Sequence, residues 1–147
     1  VYASKPLNFS GKLIKDFSLT FKDGKVIEHH AKVNQDLLTT LLDSDEGSRR
    51  LGEVALISYN SPISLSNILF YETLFDENAS CHLALGDSYP ENMEGGLMMD
   101  EEQLKANGAN SSSIHVDFMF GSEDMEVVGI KPDGSEVAIF HNGNFVF

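Results

Sequence analysis

The chain has 147 residues, of which 41% are hydrophobic and 22% charged, a balance typical of one globular domain with a buried core. The formal net charge of −13 argues against nucleic acid and anionic membranes as partners, because both require a basic surface. The single cysteine, Cys81, excludes an internal disulfide and a Cys-rich zinc site, and it fits a reducing, cytoplasmic compartment.

Alternating apolar residues and tight-turn signals predict hairpins near both ends of the chain. Asp23-Gly24 and Asn142-Gly143 each stand between apolar runs, and both dipeptides tolerate the positive φ of a two-residue turn. Pro132-Asp133-Gly134 marks a third turn. The strands predicted around these turns are 17–21 with 26–27, 127–130 with 136–140, and 137–140 with 145–147.

Helical spacing and capping residues predict three helices. Asn34 is expected to cap the first, which carries Leu37, Leu38, Leu41 and Leu42 on one side. Ser66 is expected to cap a second helix over Asn67–Asp76. Asp100 and Gln103 resemble a capping box at the start of a short polar helix that ends near Gly108.

Three further apolar segments, Glu53–Tyr59, Cys81–Leu85 and Ile114–Phe120, are predicted to be buried or half-buried strands. No internal repeat, linker or low-complexity tract interrupts the chain. We therefore expect a single domain over residues 1–147, with an α+β fold built on a mixed, largely antiparallel sheet and a few short helices.

The strand Ile114–Phe120 places two polar residues on one face. Residues two apart on a strand share a face, so His115 and Asp117 lie opposite the apolar side chains of this segment. An imidazole beside a carboxylate suits a divalent metal ion. It also suits a simple His–Asp hydrogen bond on the surface, and the spacing alone leaves both interpretations open.

Three more residues allow the same two interpretations, a metal ligand or an ordinary structural role. His82 lies on the face of its strand opposite Cys81, Glu53 opens an otherwise apolar strand, and Tyr89 follows the His82 strand in a loop. Singly, His82 fits a core histidine, Glu53 a partner of a nearby arginine, and Tyr89 a packing ring. Together they supply the carboxylate and imidazole set of hydrolytic zinc, cobalt or manganese sites.

Other chemistries have less support. The nucleophile motif G-x-S-x-G and a Gly-rich phosphate loop are absent. Cys81 and His82 are neighbours on one strand and point to opposite faces, so they cannot form a thiolate–imidazole pair. The acidic stretch GSEDMEV (121–127) lacks the spacing of a calcium hand.

Several blocks of the sequence resemble the C-terminal domain of the aminopeptidase T/aminopeptidase S family, dinuclear metallo-aminopeptidases also called thermophilic metalloproteases. The resemblance covers nearly the whole chain and is most specific over residues 45–91 and in HVDFM (115–119). The blocks are FKDGKV (21–26), DEGSRRLGEVAL (45–56), SPISLSNILFYETLFDENASCHLALGDSYPE (61–91) and NSSSIHVDFMFG (110–121).

The resemblance implies a set of metal ligands in this sequence. They are the glutamate of RRLGEVAL, the histidine of NASCHLALG, the tyrosine that follows it, and the histidine and aspartate of HVDFM: Glu53, His82, Tyr89, His115 and Asp117. Glu53 is expected to bridge two divalent ions and so to be the catalytic residue. The implied reaction is removal of a peptide's N-terminal residue by a metal-activated water.

The sequence also departs from the family pattern. The family has a further glutamate ligand in a T-E-E-V-F-T-like segment upstream, together with an N-terminal domain, and neither occurs here. The chain starts VYASKPL, without methionine. We therefore expect a C-terminal fragment of a longer aminopeptidase, a homodimer, that is inactive by itself.

Two other functions stay open at this point. The chain could be an interaction domain that folds without metal and self-associates through an exposed face. It could also be an acidic calcium-binding module, although histidine ligands favour zinc-type metals over calcium.

Overall fold

The computed structural model describes residues 1–147 as nine strands and four short helices. The strands are β1 (Leu7–Phe9), β2 (Lys12–Lys22), β3 (Lys25–Val33), β4 (Leu51–Ala55), β5 (His82–Gly86), β6 (His115–Met119), β7 (Val127–Ile130), β8 (Glu136–His141) and β9 (Asn144–Phe145). The helices are α1 (Gln35–Leu42), α2 (Pro62–Ser66), α3 (Thr73–Asp76) and α4 (Glu101–Ala106).

The expected α+β fold is confirmed, but its strands form three separate sheets instead of one. The strands form three three-stranded sheets with the orders β1-β2-β3, β4-β5-β6 and β7-β8-β9. Every pairing within them is antiparallel, so the structure contains no mixed sheet. Within each sheet the strands lie in chain order, so strands that are consecutive in sequence are neighbours in space.

The first sheet and α1 form one side of the core. Asp23 and Gly24 take positive φ in the β2–β3 turn, as the sequence predicts. Helix α1 follows directly and buries Leu38, Leu41 and Leu42. Asn34 precedes it in a left-handed conformation and makes no side-chain cap.

The central sheet, β4-β5-β6, closes the core from the other side. Leu83 and Leu85 of β5 and Phe118 of β6 are buried in the same apolar cluster as the β2 residues. The rings of Phe17 and Phe118 lie 5.7 Å apart, so they join the two sheets directly. One face of the central sheet is thereby committed to the core, and its opposite face carries the polar side chains.

The helix predicted over Asn67–Asp76 is wrong. Ser66 ends α2 instead of starting a helix, because Asn67 adopts a left-handed conformation with φ 52° that stops the helix. The true cap is Ser61, whose side chain accepts a hydrogen bond from the Ser64 backbone, with Pro62 as the first helical residue. A second short helix, α3, starts only after Tyr71, which is also left-handed.

The predicted capping box of α4 is confirmed. The Asp100 side chain accepts from the Gln103 backbone, and the Gln103 side chain accepts from the Asp100 backbone. The turns at Pro132-Asp133-Gly134 and Asn142-Gly143 are confirmed as well, between β7 and β8 and between β8 and β9.

A stretch of exposed apolar side chains runs through α2 and α3. It is defined by Leu65, Ile68, Tyr71, Leu74 and Phe75, all more than half exposed. Clusters of exposed apolar side chains can mark interaction surfaces. No helix of the structure has both the length and the hydropathy to cross a membrane.

Candidate metal centre

A β-bulge in β4 directs Glu53 to the polar face of the central sheet. Leu51 pairs with Leu85, and the register then shifts so that Glu53 pairs with Ala84. Uninterrupted alternation from Leu51 would place Glu53 on the core face. Gly52 occupies the bulge, where an added Cβ would lie 1.9 Å from the Asp87 carbonyl oxygen.

Strand pairing brings the other candidates to the same place. Ala84 pairs with Asp117 on its other side, so Glu53, Ala84 and Asp117 form one row across the sheet. His82 lies two residues before Ala84 on the same strand face, and His115 pairs with Gly86 two residues after it. Ala84 has the only short side chain in the row and leaves the space between the two carboxylates open.

The side chains converge closely. His82 Nε2 lies 3.4 Å from Glu53 Oε1, and His115 Nε2 lies 3.4 Å from Glu53 Oε2. His115 Nε2 is also 3.4 Å from Asp117 Oδ1. Potential ligand atoms of Glu53, His82 and Asp117 all lie within 4.8 Å of one another. Each oxygen of Glu53 therefore faces a different imidazole.

Backbone carbonyls fix the orientation of both imidazoles. His82 Nδ1 lies 3.1 Å from the Ser80 carbonyl oxygen, and His115 Nδ1 lies 2.7 Å from that of Asp87. A carbonyl oxygen can only accept a hydrogen bond, so each Nδ1 carries the proton. Nε2 is then the nitrogen that each ring directs toward the carboxylates and can offer to a metal ion.

Asp45 anchors the segment that leads into β6. Its carboxylate accepts hydrogen bonds from the Ser113 backbone and hydroxyl and from the Ser112 hydroxyl. It also accepts from the backbone of Gly47 and Ser48. The hydrogen bonds from Ser113, followed by those from Ser112, hold the pKa of this carboxyl far below its usual range. Asp45 thus positions the start of the strand that carries His115.

Tyr89 lies at the edge of the cluster. Its ring centroid is 4.6 Å from that of His115, and the residue is 47% exposed. Partial burial, together with the charges of Asp117 and Glu53, raises the pKa of its hydroxyl. The structure therefore places Tyr89 against a candidate ligand, with a neutral phenol at physiological pH.

Glu77 belongs to the cluster and was missed by the sequence analysis. It begins the 3-10 turn Glu77–Ala79, which packs against β6. Burial, followed by the charge of Asp117, raises the pKa of its carboxyl, and His82 acts in the opposite direction. The sequence offered only a weak signal, a glutamate five residues before His82 in a segment predicted to follow a helix.

The arginine partners suggested for Glu53 are occupied elsewhere. Arg49 binds Asp43 through two hydrogen bonds, the shorter at 2.6 Å. Arg50 donates weakly to the Asp23 carbonyl oxygen, at 3.4 Å. Glu53 is therefore left facing the two histidines.

The donor set of this site fits a divalent transition metal. Glu53, His82 and Asp117 bring ligand atoms within 4.8 Å of one another, and His115 Nε2 lies 3.4 Å from an oxygen of Glu53 and from one of Asp117. Burial, followed by the charge of Asp117, raises the pKa of Glu77, so without a cation the cluster disfavours a further negative charge. Mixed nitrogen and oxygen ligands favour zinc-type metals over calcium.

Comparison with known proteins places the chain in a family. The family model described as thermophilic metalloprotease (M29) matches residues 1–145. This chain belongs to the thermophilic metalloprotease family. The resemblance seen in the sequence blocks is therefore confirmed.

Named members of the thermophilic metalloprotease family are similar over the whole chain. Aminopeptidase 2 of Geobacillus stearothermophilus is 53% identical over 144 residues, which is 98% of this chain and 35% of that protein. Aminopeptidase T of Thermus aquaticus is 43% identical over 146 residues, again 35% of its length. The chain thus spans about a third of the length of these relatives.

A solved structure from the family has the same fold. The structure of wild-type AmpT from Thermus thermophilus superposes with a TM-score of 0.91 at 43% identity. It covers 100% of this chain, while this chain covers 36% of it. The fold described above is therefore that of one part of a larger family member.

Proposed function

We propose that this chain is the metal-binding part of a metallo-aminopeptidase that removes N-terminal residues from peptides. The relatives named aminopeptidase 2 and aminopeptidase T support the substrate class. The converging side chains on the central sheet support the chemistry. The observation that carries the proposal is the placement of Glu53, with one carboxylate oxygen toward His82 and the other toward His115.

That placement supports a site for two divalent ions, with zinc, cobalt or manganese as candidates. A carboxylate that presents its two oxygens to two different imidazoles is suited to bridge a pair of ions. His82 would serve one side of Glu53, while His115 and Asp117 would serve the other. Tyr89 would complete the set once its hydroxyl loses its proton. When bound, such ions activate a water molecule and polarise a peptide carbonyl.

The chain's own residues have distinct tasks in this proposal. The Ser80 and Asp87 carbonyls hold the imidazoles in the orientation that exposes Nε2. Ala84 keeps the centre of the row open, and Glu77 adds a carboxylate beside Asp117. The acidic surroundings favour the cationic free amine that distinguishes the end of a peptide from its interior.

Further features of the proposal rest on the sequence and on chain length. The matched region is about a third of each relative, so we propose that this chain alone binds metal without turning over peptides. We propose a cytoplasmic location, which the free and buried Cys81 fits. The net charge of −13 supports peptides, and neither nucleic acid nor membranes, as partners.

A chimera tests the assignment. This chain replaces the matching third of aminopeptidase 2 from Geobacillus stearothermophilus, and release of an N-terminal residue is followed with a free and an N-acetylated peptide. We expect activity on the free peptide, its loss in Asp117→Asn and His115→Ala, and full activity in His141→Ala. His141 pairs with Glu126 on the surface, away from the cluster. Equal activity in the Asp117→Asn and original chimeras would contradict the proposal.

The exposed apolar stretch around Leu65 to Phe75 supports a second property, self-association into a homodimer. This surface does not overlap the metal cluster, so both properties can coexist. Sedimentation of the chain with and without zinc measures them separately. A dimer that forms without metal and is disrupted by Leu74→Glu would support a self-associating domain, and a monomer at all concentrations would exclude it.

A further inference from the structure

A polar cavity of about 390 Å³ lies at the end of the central sheet, beside the metal cluster. Its walls come from the segment before β4, the loop after β5, helix α4 and the segment before β6. A cavity of this size can hold a small-molecule ligand. The residues that supply its charge are Glu46, Arg50, Asp87, Glu101 and Lys105.

The charges of the cavity are arranged in two matched pairs. Glu46 and Arg50 belong to one wall, and Glu101 and Lys105 belong to the other. Glu101 and Lys105 are four residues apart on α4 and so share one face of that helix. Each wall therefore offers one acidic and one basic group to the same space.

None of these four side chains takes part in an ion pair within the protein, and Arg50 makes only one long hydrogen bond, to the Asp23 carbonyl oxygen at 3.4 Å. The fifth charged residue, Asp87, already accepts a hydrogen bond from the Ser112 backbone. A simple anion in the cavity would meet Glu46 and Glu101, and a simple cation would meet Arg50 and Lys105. A ligand that carries both charges can satisfy both walls at once.

We propose that this cavity binds a small zwitterion, a free α-amino acid or a dipeptide. Its carboxylate contacts Arg50 and Lys105, and its ammonium group contacts Glu46 and Glu101. Ser88 and Asn110 also line this space, and their hydrogen bonds to each other and to the Gly47 and Gly86 carbonyls hold the wall between the charged residues in place. This site is separate from the metal cluster, because none of its lining residues is a candidate metal ligand.

The loop after β5 contacts both the cavity and the metal cluster. Asp87, Ser88 and Pro90 line the cavity, and the ring of Tyr89 between them packs against that of His115 in a tilted arrangement. The Asp87 carbonyl also accepts the hydrogen bond that orients His115. A ligand that shifts this loop therefore changes the surroundings of His115. Under the function proposed above, a free amino acid is the reaction product, so this site would let product act on the centre that forms it.

The test is titration of the metal-free chain with L-alanine and with glycylglycine, followed by backbone NMR in the presence of a chelator. We expect saturable shifts at Gly47, Ser88 and Ala109. Acetate and ethylammonium carry one charge each. Each should bind at least about fivefold more weakly than L-alanine. Equal binding of acetate and L-alanine, or no shift at these residues with either zwitterion, would overturn the proposal.

Variants separate this site from the metal cluster. Lys105→Gln should weaken L-alanine binding by about fivefold, because one exposed charge contact is lost. Lys131→Gln, in the β7–β8 turn and outside the cavity lining, should leave it unchanged. Asp117→Asn disables the metal cluster and should leave L-alanine binding intact. Loss of binding in Asp117→Asn with no effect of Lys105→Gln would assign the ligand to the metal cluster and overturn the proposal.

Discussion

Glu53 and Asp117 lie in one row of the central sheet, separated only by Ala84. They come from residues 64 positions apart in the chain, and the register of three antiparallel strands sets their relative position. Rigid strands hold ligands more accurately than loops do. The candidate metal centre therefore depends on strand register, which gives the first experiment.

Gly52→Ala should disturb both the fold and the metal centre. The new methyl group would lie 1.9 Å from the Asp87 carbonyl oxygen, so β4 or the loop after β5 must move. We expect a loss of about 2–3 kcal/mol in the free energy of unfolding, together with weaker zinc binding. Urea unfolding and calorimetry measure the two effects. Gly129→Ala is the matched control, because the nearest atom to its methyl group is the end of the flexible Ile139 side chain, at 3.3 Å. Equal behaviour of the two variants would show that the bulge does not position Glu53.

Asp45→Asn should change how stability depends on pH. The hydrogen bonds from Ser113 and Ser112 depress the pKa of Asp45 in the folded chain below the unfolded value of about 3.9. A carboxyl with a depressed pKa stabilises the fold above the unfolded pKa, and this contribution is lost as the pH falls toward the folded pKa.

The stability difference between the original chain and Asp45→Asn should therefore be largest near pH 6 and shrink below about pH 4. Urea unfolding at a series of pH values measures it. Asp16→Asn serves as a control, because the side chain of Asp16 is exposed and makes a long ion pair with Lys32, at 3.9 Å. A difference that stays constant from pH 6 to pH 3 would contradict the role given to Asp45.

Glu77→Gln should make the metal-free chain more stable and bind metal less tightly. Burial and the neighbouring Asp117 raise the pKa of Glu77, so its charge destabilises the folded chain at pH 7. That penalty is absent at low pH, where the folded carboxyl is protonated, and appears as the pH rises through the unfolded and folded pKa values.

We expect a gain of about 0.5–1 kcal/mol at pH 7 in the metal-free variant and none at pH 4. Thermal unfolding with a chelator measures the gain, and zinc titration measures the loss of affinity. Glu72→Gln, at an exposed position in the neighbouring segment, should change neither. A less stable Glu77→Gln chain at pH 7 would show that Glu77 is not under repulsion.

Tyr89→Phe should keep the ring packed against His115 and remove one proposed metal ligand. The raised pKa of the hydroxyl means that zinc must displace a proton from Tyr89 to bind its oxygen. Zinc addition to the original chain should therefore produce the ultraviolet difference spectrum of a phenolate. The variant should lack this spectrum and bind zinc about tenfold more weakly. Tyr71→Phe, at an exposed position, should behave like the original chain. A phenolate spectrum that persists in Tyr89→Phe would remove Tyr89 from the ligand set.

The sequence correctly predicted the features that depend on a single strand, namely which side chains share a face. Alternation along β5 and β6 predicted the shared face of His115 and Asp117 and the opposite faces of Cys81 and His82. It could not predict the bulge at Gly52, because a register shift depends on the partner strand. The sequence did not predict the position of Glu77 for a similar reason, since only the tertiary packing of its turn against β6 brings it near Asp117.

The helix predicted over 67–76 failed for a local reason. Apolar residues at positions 68, 71 and 75 imitate helical spacing, while Asn67 and Tyr71 adopt left-handed conformations that no regular helix contains. Ile68, Tyr71 and Phe75 are exposed in the structure, so no core contact selects a helix there. Apolar spacing alone therefore predicted an element that packing does not support.

The most direct test of the account is calorimetric titration of the chain with zinc and cobalt, alongside Glu53→Gln and Glu126→Gln. Glu53 faces both histidines, whereas Glu126 pairs with His141 on the surface. We expect the original chain and Glu126→Gln to bind two ions, and Glu53→Gln to lose most of the affinity for both. Identical titrations of the Glu53→Gln and Glu126→Gln chains would show that the cluster on the central sheet is not the metal centre.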